Sequence, residues 1–161
     1  MPKKISTPTF ILELPLVVGS KERLRLEKAF EIGRKIYNAT LATALARLKR
    51  MREDPAWKKA VAMPKGKERN SEFSRLQKKF SLTLNGLRTI ANNHRSRSKT
   101  TLIGAHEAQE IGKTVWQALE GYIFRKGGKP RFKSWKRGLN SISQARCNKV
   151  FDWARHLSYW C

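Results

Sequence analysis

The sequence predicts an α+β fold, mostly helical, in which a small β element is interrupted by a long helical insertion. Three observations predict it. Residues 7–18, TPTFILELPLVV, place Phe10, Leu12, Leu14 and Leu16 at a spacing of two, the period of a half-buried strand. From Lys21 to Phe124 the apolar spacing changes to three and four, the period of amphipathic helices. From Gly127 the chain becomes rich in glycine and cations, in GGKPRFKSWKRG (127–138), and LNSIS follows as a second strand candidate. The expected organisation is a β element made of 1–19 and 127–143, a helical insertion over 20–126, and an atypical tail over 144–161.

In the first strand, Pro8 and Pro15 argue for an edge position or a terminal turn. Gly19-Ser20 ends it, with Ser20 placed to cap a helix. The first helix is expected from Lys21 to about Arg52, with Leu26, Phe30, Gly33, Tyr37, Leu41, Ala44 and Leu48 on its apolar face. Residues 53–70 hold two prolines and a glycine and read as a connection with at most one helical turn. A second helix fits 71–94, directing Phe73, Leu76, Phe80, Leu84, Leu87 and Ile90 inward, with Gly86 weakening its middle. The basic, serine-rich stretch 95–101 reads as a link. A third helix fits 104–124, with Ala108, Ile111, Val115, Leu119 and Tyr122 on one side.

Charge bounds the function. The chain of 161 residues carries 35 Lys and Arg against 12 Asp and Glu, a formal charge of +23. A hydrophobic fraction of 40% supports a folded core, so this is a compact body that repels itself and calls for a polyanion. Nucleic acid leads, since phosphate contacts release counterions; an anionic membrane surface is the runner-up. The apolar run FILELPLVV is too short to span a bilayer and contains Glu13 and Pro15. Cys147 and Cys161 form neither a disulfide framework nor a metal-ligand spacing, which points to a reducing, cytoplasmic setting.

In an extended chain, KPRFKSW would put Lys129, Arg131 and Lys133 on one face, about 6–7 Å apart, with Phe132 anchoring the other. Such a rail suits a sugar-phosphate backbone, which it would position against without reading sequence. Phe30, Tyr37, Trp116, Tyr122 and Phe124 sit on apolar stripes and read as core. Trp57 and Trp135 fall outside them and are candidates for stacking on a base or ribose.

The stretch GKPRFKSWKR resembles the G-x-P-R-F-K signature of TnpB (OrfB) proteins of insertion sequences, RNA-guided nucleases related to the type V CRISPR effectors. LEKAFEIGRKIYNATLATALAR resembles that family's first helix with its Tyr-Asn pair, here Tyr37-Asn38. AHEAQEIGKTVWQALEGYIF resembles the helix before the basic signature. The resemblance spans about residues 7–143 and is weak over 53–100. It implies a small wedge-type β-barrel interrupted by a helical recognition lobe, whose first helices carry the older label of a helix-turn-helix. It also implies partners: RNA of guide or scaffold type, and DNA. The implied contact residues are Arg34, Lys35, Tyr37, Asn38, Arg125, Lys126, Lys129, Arg131, Lys133, Trp135, Lys136 and Arg137. The family's RuvC-like domain, which holds two metal ions for phosphodiester cleavage, has no counterpart here, and neither has its zinc ribbon. No catalysis and no cofactor are expected. The tail QARCNKVFDWARHLSYWC departs from the family, and a shift of reading frame near Gln144 is the expectation for it. The alternative function is a stand-alone, helix-turn-helix-like DNA-binding repressor or accessory protein of a transposon.

Overall fold

A computed structural model describes residues 17–124, 127–136, 139 and 141–142. Its regular structure is five helices in chain order: α1 (Ser20–Glu53), α2 (Pro55–Ala62), α3 (Lys67–Lys79), α4 (Leu84–Arg97) and α5 (Ala105–Ile123). Among the described residues there is no strand, no sheet and no barrel. This overturns the α+β expectation with its wedge-type β-barrel. The segment 127–136 holds no helix or strand, and the backbone of Lys133 bonds to side chains of α1. Val17 and Val18, at the end of the expected first strand, are not in a strand either; residues 7–16 of that strand and the tail 144–161 lie outside the described residues.

α1 is 34 residues long, about 50 Å at the helical rise. Its apolar period buries Ile36, Tyr37, Leu41, Ala44, Leu48 and Met51. Leu26, expected on this face, is 37% exposed, and the whole stretch 20–28 at the start of the helix is exposed with it. α4 and α5 form the most extensive helix pair, antiparallel, and α1 lies across both. Gly112 allows their close approach: a Cβ there would lie 2.7 Å from the Leu87 carbonyl oxygen and 2.9 Å from the Arg88 Cα. Arg88 then reaches Glu110 at 3.2 Å, and Arg95 Nε donates to the Ile103 carbonyl at 2.9 Å.

The expected helix over 71–94 is two helices. The chain breaks at Ser81, whose φ of 53° is left-handed, and Thr83 restarts it by accepting from the Gly86 amide at 3.1 Å. Gly86 therefore sits in a first helical turn rather than mid-helix, where a Cβ would collide with the Ser81 carbonyl. The expected connection 53–70 holds α2, capped by Asp54 accepting from the Ala56 amide at 2.9 Å, and the start of α3. α2 and α3 pack on each other, and α2 leans on α1. Trp57 is part of this packing, half-buried with its ring centroid 4.8 Å from that of Phe73, and so is not a free stacking surface.

Candidate nucleic-acid interface

After α5 the chain turns back along α1. Arg52 places its guanidinium 5.1 Å from the Tyr122 ring centroid near the end of α5. Further along, Asn38 meets Lys133, Arg34 meets Trp135, and Leu139 lies over Gly33. The segment thus runs antiparallel to α1, and Leu139 and Ile142 pack against the core beyond it.

Asn38 fastens it. Its Nδ2 donates to the Lys133 carbonyl at 2.9 Å, and its Oδ1 accepts from the Lys133 amide at 2.8 Å. One side-chain amide has both a donor and an acceptor, so it pairs with the N–H and C=O of one residue as a neighbouring strand would. Arg34 Nη1 adds a longer bond to the same carbonyl at 3.5 Å and holds its guanidinium 5.5 Å from the Trp135 ring centroid. Lys133 Nζ stands 5.7 Å from the centroid of Tyr37, a cation–π contact. Burial pushes the Tyr37 phenol above its ordinary pKa, so it stays neutral beneath that ammonium.

Five of the residues singled out in the sequence, Arg34, Tyr37, Asn38, Lys133 and Trp135, therefore come together. The Tyr-Asn pair of α1 and the basic segment are the two halves of one contact. Lys35 stands apart, exposed, with its Nζ 2.7 Å from Glu31, whose carboxyl it holds below the usual range by hydrogen bond and charge. Arg125, Lys126 and Arg137 lie outside the described residues.

Two expectations for this segment need correcting. Phe132 is no anchor: it is 55% exposed, and the backbone of Lys133 is what holds the chain. The three rail cations are not equally presented, since Lys133 is half-buried while Lys129 and Arg131 are exposed. Phe124, expected in the core, is 53% exposed at the C-terminal cap of α5. The sequence reading missed Arg52, whose signal was a cation one turn past Leu48 on the apolar side. At Tyr122, the Arg52 hydrogen bond and then its charge draw the phenol below its ordinary pKa.

The acids neutralise little of this surface. The ion pairs of the described residues lie on or between the helices, and none involves Lys129, Arg131, Lys133 or Lys136. No acid occurs between Gly127 and Gly138. Among the described residues no three His, Cys, Asp or Glu side chains gather as a metal site would require, and no helix is long and apolar enough to cross a membrane. The chain matches no protein-family model, no curated protein and no solved structure.

Proposed function

We propose that this chain binds the sugar-phosphate backbone of nucleic acid through the cationic segment laid along α1. In this reading it is the non-catalytic, N-terminal part of a TnpB-like protein, working on guide-type RNA and DNA in the cytoplasm. One observation carries the proposal. Lys129, Arg131 and Lys136 are exposed and without an ion pair among the described residues, on a segment whose backbone is fastened to α1 by Asn38. A fastened backbone has already lost much of its conformational freedom, so less is lost when phosphates engage these cations. Binding of this kind would follow backbone and shape, with sequence left to base pairing by a guide.

The test is Lys129→Ala with Arg131→Ala, read as the salt dependence of binding to a structured RNA and to a DNA duplex. Removing two phosphate contacts should make the slope of log K against log salt shallower by about 1.8 on the duplex. An unchanged slope refutes the proposal. The helix-turn-helix alternative has less support, because the main partner of α4 is α5 and not α3. Tight duplex binding at one preferred site, with no competition from RNA, would restore it.

A further inference from the structure

We infer that Trp135 is a seat for one unpaired nucleobase, so that the strand crossing this end of the segment is single-stranded. The inference rests on the backbone-binding proposal above and adds the form of its partner.

Trp135 is 72% exposed, whereas Trp57 and Trp116 are partly buried against the core. A ring this large, left mostly in water on a fastened segment, is apolar surface that the described chain does not bury. It does not hang free, however. Arg34 lies over it with the guanidinium carbon 5.5 Å from the ring centroid, and Arg34 is itself held by its bond to the Lys133 carbonyl. The ring is oriented from within α1 and keeps most of its surface open.

That arrangement suits stacking of a single base. Every base has a π-face, so the seat would accept any of them. In a duplex both faces of each base are already covered by neighbours, and exposing one would add an unstacking cost. A single strand has no such cost. Exposed Arg131 and Lys136 flank the ring along the chain and would hold the phosphates on either side of the seated base. RNA and DNA share this chemistry, and the ribose hydroxyl is what would separate them.

The experiment titrates the full chain with oligouridylate, oligothymidylate and a duplex of equal length at matched salt, following tryptophan emission and affinity. The single strands should bind more tightly than the duplex and quench the emission. Trp135→Ala should remove most of the quenching and lower single-strand affinity about 5- to 150-fold. Trp135→Phe should lose far less. Arg34 is a positioning residue: Arg34→Lys keeps the charge but not the planar backing, so it should reduce quenching and leave the salt slope unchanged. An unaltered melting curve checks that each variant is folded.

The seat is overturned if Trp135→Ala leaves single-strand affinity intact, or lowers single-strand and duplex affinity by the same factor. In either case a salt slope that still responds to Lys129→Ala with Arg131→Ala leaves the backbone proposal standing. A slope that does not respond removes both.

Discussion

The variant Asn38→Ala tests the clamp most directly. It removes the donor to the Lys133 carbonyl and the acceptor for its amide, at 2.9 and 2.8 Å. Each such bond contributes about 0.5–1.5 kcal/mol net, so segment docking should weaken by about 1–3 kcal/mol. The helix itself gains, because Ala is favoured over Asn in a helix interior by a few tenths to about 0.7 kcal/mol. These opposed effects separate in the right assay. The global melting temperature should move little, whereas hydrogen exchange at the Lys133 amide should quicken about 5- to 150-fold. The Leu41 amide, in the buried stretch of α1, serves as the internal reference. Asn38→Asp should be worse than the loss of one bond, since it sets a carboxylate oxygen against the Lys133 carbonyl. The clamp is refuted if the Lys133 amide exchanges as fast as free chain in the unaltered protein, or equally slowly in Asn38→Ala.

Glycine substitutions on α5 should diverge. Gly112→Ala drives a methyl into the α4 backbone and should cost about 1–3 kcal/mol in denaturant titration, while Gly121→Ala, with nothing within 4 Å, should stabilise by up to about 1 kcal/mol. The buried Thr40 hydroxyl has no hydrogen-bond partner among the described residues, so Thr40→Val should raise stability by about 1 kcal/mol, measured the same way. Burial, and then the charge of Arg97, hold the His94 imidazole below its ordinary pKa, beside Thr43 at 3.3 Å. The unfolded chain therefore takes up this proton first. Stability should rise with pH through the window below about 6.5 and level off above it. His94→Gln should flatten that rise in melting curves taken across the range.

Much of the helical core was legible because its signal is periodic and local. α1 and α5 lie within about a residue or two of the ranges their apolar spacing predicts, and Leu41, Leu48, Val115 and Leu119 are buried as expected. The break between α3 and α4 was harder to see, since Phe80, Leu84 and Leu87 keep a helical spacing straight across it. Its signal was Thr83 at a capping distance from Gly86. For α2 the signal was Asp54-Pro55, a capping residue followed by a proline suited to the first helical position. The basic segment misled for a different reason. Its alternation fits a strand, but a strand needs a partner backbone, and here an asparagine side chain takes that place. An Asn on the half-buried side of a long helix, where it is a poor helix former, was the available hint. Which of Lys129, Arg131 and Lys133 turns inward depends on contacts with Arg34, Tyr37 and Asn38, far away in the chain, and has no local signature.

The separation of 95 residues between Asn38 and Lys133 also bears on how the protein is made. At about 5–20 residues per second, the ribosome would deliver the second half of the clamp some 5–20 seconds after the first. All five helices precede Lys133 in the chain and have time to associate before it emerges. The fastening then follows the packing of the helices, and the cations beside it reach their places on helices that are already assembled.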